Sequence, residues 1–187
     1  MQQRFSNFFP SLVACLSAWR RRCARILRHR QLDRRDIPRL LGSGALQRLH
    51  RHIADSERQH QGEIRLSIEA GLPWRYLRHD VPARTRAITL FGKLRVWDTE
   101  YNNGVLIYLL LADRAIEIVA DRGLSQHIHP EQWQDLTRRM SEQFRQGAFE
   151  AGLDLALDQV TAWLSEFFPP AHGVAPRNEL PNSPDLR

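Results

Sequence analysis

The stretch Gly104–Ala112, GVLIYLLLA, carries no charged residue, and its only polar side-chain group is the hydroxyl of Tyr108. A strand with one face in water alternates apolar and polar residues, whereas one that is apolar throughout must be covered on both faces. Helices are the usual cover, so the stretch points to an α/β protein whose central strand lies between two helical layers. A chain of 187 residues is long enough for one such core with tails.

The neighbouring segments supply the remaining layers. In GEIRLSIEAG, Ile64, Leu66 and Ile68 alternate with Glu63, Arg65, Ser67 and Glu69, the pattern of a strand with one wetter face. Pro82 opens a helix through Ala87, Leu90, Phe91 and Leu94, ending near Arg95. After the central strand, Asp113-Arg114 reverses the chain into a third strand alternating at Ile116, Ile118 and Ala120. Ser43 is read as the cap of a helix that buries Leu46, Leu49 and Ile53 and runs to about Gln59. Pro130 starts another, with Trp133, Leu136, Met140 and Phe144 on its buried face and Gly147 closing it. The last helix spans Phe149 to Phe168 and is stopped by Pro169-Pro170.

Strand, helix and strand in one sheet make a right-handed crossover with parallel strands, and the short reversal makes the third strand antiparallel. The expected fold is therefore a three-layer α/β/α sandwich around a small mixed sheet, Rossmann-like in its connections. This domain is expected at 44–168. It is preceded by a basic amphipathic arm at 1–27 and a linker at 28–43, and followed by a Pro-rich tail at 169–187, extended or disordered.

Charge separates the arm from the body. Residues 1–51 hold 12 arginines against 2 aspartates, and residues 52–187 hold 15 basic against 19 acidic side chains. Leu12, Leu16, Trp19, Cys23 and Ile26 form one helical stripe, flanked by Arg20, Arg21, Arg22, Arg25 and Arg28. Such a helix can lie on an anionic membrane, with Trp19, Arg20, Arg21, Arg22 and Arg25 as the contacts, or dock on its own body. The five tryptophans are dispersed, which argues against a nucleic-acid stacking platform. Cys15 and Cys23, eight residues apart on the arm, do not suit a disulfide. LVAC, Leu12 to Cys15, follows too short an apolar region for an export signal. The expected location is cytoplasmic, peripheral at the inner membrane, with a protein partner at the sheet edge or the C-terminal tail.

The up, up, down order of the strands brings distant polar runs to one rim: Glu57, Gly62 and Glu63 before the first strand, Asp98, Thr99, Asn102 and Asn103 before the second, Asp121, Arg122 and Gly123 after the third. Carboxylates, amide oxygens and backbone carbonyls together form a hard-oxygen set that suits Ca²⁺ or Mg²⁺. The expected metal ligands are Asp98, Asn103, Asp121 and Glu57, with Thr99, Asn102 and Arg122 toward a phosphorylated ligand. The same residues also read as caps, turns and a surface ion pair. Glu69, Asp113 and Arg114 at the opposite rim are the second choice. His50, His52, His127 and His129 lack a third ligand and read as surface or capping residues. No nucleophile elbow or phosphate-cradling loop occurs, so no catalytic residue is assigned.

The segments SERQHQGEIRLSIE, LRVWDTEYNNGVLIYLLLADRAIEIVADRG, EQWQDLTRRMSEQFRQGAFEAGL and FFP together resemble the TPM domain family, in its short, stand-alone proteobacterial form. The resemblance implies an α/β/α sandwich and a divalent cation at acidic loop residues. It also implies phosphatase-type hydrolysis, since the family includes a thylakoid-lumen member associated with acid phosphatase activity and photosystem repair. Asn102-Asn103-Gly104 and Asp121-Arg122-Gly123 match the family's pattern before the second and after the third strand. Two departures stand out: the signal peptide and C-terminal anchor of exported relatives are not evident, and Leu124-Ser125 replaces an acid that many relatives carry.

Overall fold

The computed structural model describes residues 9–170 and 179–187, without the side chains of 9–16 and 18. Leu12, Cys15 and Leu16 thus fall outside the described side chains. Four strands are present among the described residues: β1 (Glu63–Glu69), β2 (Gly104–Leu110), β3 (Ala115–Ala120) and β4 (Asp185–Leu186). They lie in the order β3-β2-β1-β4. β1 and β2 are parallel, with Glu63 opposite Gly104, and β3 is antiparallel to β2, with Ala120 opposite Val105. The helices are α1 (Phe9–Gln31), α2 (Ile37–Leu41), α3 (Ala45–Ser56), α4 (Trp74–Arg78), α5 (Ala83–Lys93), α6 (Arg122–Ser125), α7 (Pro130–Arg145) and α8 (Phe149–Phe167). The architecture is the expected α/β/α sandwich around a mixed sheet.

Period-two alternation in β1 and β2 divides the core. Ile64, Leu66, Ile68, Val105, Ile107 and Leu109 pack with Leu49 and Ile53 of α3, Leu136 and Met140 of α7, and Leu157 and Leu164 of α8. On the other face Leu106, Tyr108 and Leu110 pack with Leu77 of α4, Ala87 and Leu90 of α5, and Leu180. The apolar reading of β2 thus has its physical cause: all seven of its residues are buried.

The wetter face of β1 is not wet. Glu63, Arg65, Ser67 and Glu69 are all buried, and each has a partner. Glu69 accepts from Nε and Nη2 of Arg86, at 2.9 and 2.7 Å, and from the Tyr108 hydroxyl at 2.7 Å. Burial, and then the Glu69 charge, push the Tyr108 hydroxyl far above the ordinary phenol value, which keeps it a donor. The other three side chains are covered by residues 179–187, where β4 runs parallel to β1 with Asp185 opposite Ser67. The second half of the expected tail is therefore part of the sheet. Its pairing is long-range and only two residues long, so no local periodicity announces it.

The expected linker is also folded. α1 continues to Gln31, a 3-10 turn follows at Arg34–Asp36 with Asp33 as its cap, and α2 places Ile37 and Leu41 in the core. The cap of α3 is Gly44 in the left-handed conformation, φ 73°, in place of Ser43. At the outer edge of β3 the guanidinium of Arg84 donates to the Ile118 carbonyl.

α1 docks through its second half. Arg25 donates to Asp113 at 2.9 Å, to Asp80 at 2.5 Å and to the Val81 carbonyl at 3.0 Å. His29, fully buried at its side chain, bonds Asp113 through Nε2 and takes the Leu72 amide on Nδ1. Arg22 donates to the Arg78 carbonyl. Arg22 and Arg25, expected among the anion contacts, are thus engaged by the body itself, while Trp19, Arg20 and Arg21 are exposed. Burial disfavours the Asp113 charge, but His29 and Arg25 outweigh it and hold the carboxyl down at about 2.

A depressed carboxyl stabilises the fold fully above its unfolded value near 4 and ceases to do so as pH falls through about 2. Arg25→Ala is expected to lower unfolding free energy in urea by about 2–3 kcal/mol at pH 7, the range for hydrogen bonds to charged groups. Asp113→Asn should flatten the stability loss between pH 4 and pH 2. An unaltered acid limb in that variant would contradict the clamp.

Candidate cation-binding rim

The rim at the amino ends of β1 and β2 is built by close backbone approach. At Gly104 a Cβ would overlap the Val96 carbonyl oxygen, and at Gly123 it would overlap the carbonyl oxygens of Asn102 and Tyr101. Both positions therefore exclude larger residues on packing grounds. Asn102 takes the left-handed conformation, φ 51°, and its carbonyl accepts from the Gly123 amide at 2.8 Å. The Asp121 amide donates to the Gly104 carbonyl at 2.9 Å. The Asn-Asn-Gly and Asp-Arg-Gly runs are thus sewn to one another directly.

The side chains follow from that frame. Asn103 is buried, its Nδ2 donates to the Gln61 carbonyl at 3.1 Å, and its Oδ1 has no partner. Asp121 caps α6, accepting from the Arg122 amide through Oδ1 at 2.7 Å, while its Oδ2 has none. Glu57, at the C-terminus of α3, accepts from the Ile64 amide through Oε1 at 3.3 Å and leaves Oε2 without a partner. Among the described residues four buried side-chain polar atoms lack a partner, the fourth being Ser165 Oγ. Three of the four are therefore oxygens of expected metal ligands at this rim. Burial, and then the charge of Glu63, push the Glu57 carboxyl up to about 8.

The other expected residues are placed differently. Asp98 lies on the same rim but is exposed, in the turn after α5. Thr99 is buried and its hydroxyl accepts from the Asn103 amide at 3.1 Å, so it positions Asn103 and does not face outward. Arg122 is exposed, with Nη2 at 3.3 Å from Asn102 Oδ1. Glu63 is occupied by the amides of Glu179 and Leu180. At the opposite rim Glu69 and Asp113 are consumed by Arg86, Tyr108, Arg25 and His29, so the second-choice site is a structural clamp. His52 sits between Asp154 and Asp158, at 3.0 and 2.9 Å, His127 stacks on Phe167, and His129 caps α7. A groove of about 700 Å³ beside β3, lined by Arg84, Glu117, Ile118, Trp133 and Thr137, contains none of the unpartnered oxygens.

No group of three His, Cys, Asp or Glu that could hold a metal occurs among the described residues. A cation at this rim would therefore need the Asn103 amide oxygen, backbone carbonyls or water beside the Asp121 carboxylate and the Glu57 carboxyl, which would have to release its proton to bind. That composition is ordinary for Ca²⁺, which takes six to eight oxygen ligands of mixed kind.

The TPM domain model matches residues 35–163, more than half of the chain and the whole of this frame. The chain belongs to the TPM domain family. The BA42 protein from the psychrophilic bacterium Bizionia argentinensis, solved by NMR, is similar at 27% identity and TM-score 0.66, covering 78% of this chain and 94% of that one. The N-terminal domain of a P. gingivalis protein, also solved by NMR, shares the fold at 19% identity and TM-score 0.57, over 71% and 83% of the respective chains. No curated protein matches the chain.

Within this TPM domain, sequence reasoning missed how Glu57 and Glu63 divide their work. Both are acidic and near the first strand, and only the course of the C-terminal segment decides that Glu63 takes the amides of Glu179 and Leu180 while Glu57 takes that of Ile64. The glycines of the two family motifs offer a direct test of the frame. Gly104→Ala is expected to cost at least about 2 kcal/mol in urea unfolding, as overpacked sites do. Gly92→Ala in α5, where a Cβ meets nothing within 4 Å, should instead gain up to about 1 kcal/mol. Equal effects at the two sites would refute the close-approach argument.

Proposed function

We propose that this TPM domain binds a divalent cation, Ca²⁺ or Mg²⁺, at the rim of Glu57, Asn103 and Asp121, and through it a phosphorylated ligand. The supporting observation is the placement of two buried, unpartnered oxygens, Asn103 Oδ1 and Asp121 Oδ2, on one rim with the Glu57 carboxyl. A buried acceptor without a donor costs about 1–3 kcal/mol, and a cation is the partner that serves several at once. Asp98, exposed on the adjoining turn, would add a carboxylate from the solvent side. Arg122, exposed next to Asp121, supplies a guanidinium for phosphate oxygens. When bound, the cation would polarise a phosphoryl oxygen and lower the pKa of a coordinated water, the chemistry of phosphomonoester hydrolysis. Thr99 and Gln61 hold Asn103 in place throughout.

A second reading, a non-catalytic accessory module at the cytoplasmic membrane face, is favoured by the outer side of α1. Trp19 is 64% and Leu27 60% exposed, beside the exposed Arg20 and Arg21. No described helix is long and apolar enough to cross a membrane, so contact of this kind would be interfacial.

Amide NMR during Ca²⁺ and Mg²⁺ titration separates the two. Saturable shifts are expected at Asn103, Gly104 and Asp121–Gly123, with Asp121→Asn weakening affinity at least about tenfold. Cation-dependent hydrolysis of an aryl phosphate should fall in the same variant. Absence of shifts up to about 10 mM, beyond the weakest ordinary Ca²⁺ sites, would remove the cation reading. Salt-sensitive flotation with anionic vesicles, lost in Trp19→Ala/Arg20→Ala/Arg21→Ala, would then support the second.

A further inference from the structure

Residues 179–187 are held mostly by contacts to their backbone. The Glu63 carboxylate accepts from the amides of Glu179 and Leu180, at 3.0 and 3.2 Å. Arg65 Nη1 donates to the carbonyls of Pro181 and Ser183, the latter at 2.5 Å. The Ser67 hydroxyl donates to Asp185 at 2.9 Å, and the ladder closes with Arg187 N to Ile68 O and Ala70 N to Arg187 O, both 3.0 Å. Leu180 is the segment's buried apolar anchor, and Leu186 packs only partly buried. Two consecutive amides, one leucine, spaced carbonyls and a strand edge that accepts a parallel partner are the elements of peptide recognition by strand addition.

The chemistry of this face also suits release. Lifting the segment exposes Glu63, Arg65 and Ser67, which water solvates, whereas uncovering the opposite face of β1 would expose Ile64, Leu66 and Ile68. A two-residue ladder with one buried anchor belongs to the low-stability end of local opening.

We propose that the polar face and outer edge of β1 form a peptide-binding groove, and that residues 179–187 exchange reciprocally between two copies of this chain. The occupant follows from the contacts. A second copy carries the same Glu-Leu-Pro-Asn-Ser-Pro-Asp-Leu-Arg segment and so reproduces every bond without new chemistry, the general basis of swapping. Each copy then completes the sheet of the other.

Ser67 and Asp185 face one another across the ladder, where neighbouring strands are about 4.8 Å apart, within disulfide range. Full-length chains with Cys15→Ser and Cys23→Ser are made carrying either Ser67→Cys or Asp185→Cys, mixed, and oxidised. A chain carrying both substitutions reports whether the segment pairs at all. Exchange predicts a disulfide-linked pair from the mixture, several-fold above a Ser67→Cys and Asp135→Cys mixture. If the double variant closes within one chain and the mixture stays at the control level, the segment is permanently intramolecular and the proposal fails. Failure of the double variant to close overturns it as well. A synthetic 179–187 peptide with cysteine at 185 forms a third arm. Capture of that peptide without capture of the second chain would show a groove for foreign strands and would overturn exchange between copies.

Discussion

β1 occupies the interior of the sheet although every second residue of it is polar, and this is the constraint the rest of the molecule answers. Buried carboxylates and guanidinium groups are tolerated only when paired and hydrogen-bonded, since each uncompensated charge costs several kcal/mol. Arg86 of α5 and Tyr108 of β2 satisfy Glu69, while the C-terminal segment satisfies Glu63, Arg65 and Ser67. Three distant parts of the chain are thereby tied to one strand. The position of α5 over the sheet and the course of the terminus both answer that requirement.

The two rims of the sheet have opposite electrostatic character. At the carboxyl ends of β1 and β2, Asp113 is saturated by Arg25 and His29, and the charges there close an internal joint between α1 and the body. At the amino ends, Glu57, Asn103 and Asp121 each keep one oxygen unpartnered. The Asn-Asn-Gly and Asp-Arg-Gly runs sit at that second rim, with Gly104 and Gly123 spent on close backbone contact and an oxygen of Asn103 and of Asp121 left unpartnered. Ligands of open α/β sheets ordinarily lie at carboxyl ends of parallel strands. Here that end is filled by α1.

Much of this was legible in the sequence because it depends on local periodicity. The double-sided apolar character of β2, the alternation of β1 and β3, and the stripes of α3, α7 and α8 specify three layers, and the up, up, down order of the strands then brings Asp98, Asn103 and Asp121 to one rim. What stayed hidden depends on partners far away in the chain. The polar face of β1 reads as solvent-facing because alternation cannot distinguish water from a covering peptide. Ile37–Leu41 is too short for helical periodicity, and β4 exists only by pairing with Ile68. Likewise the basic stripe of α1 mixes residues of two fates. Arg25 turns inward to Asp113 while Arg20 stays in solvent, and the spacing of arginines alone carries no sign of the difference.

The contact of Arg84 with the Ile118 carbonyl has a wider meaning. β3 is a margin of the sheet, and an uncovered margin offers a template on which further chains can stack without limit. A guanidinium seated on its central carbonyl interrupts that row, and the neighbouring Glu117, at 3.6 Å from Arg84, pairs with it there. With β3 guarded in this way and the margin of β1 paired with Asp185–Leu186, both long strand edges of the sheet are occupied.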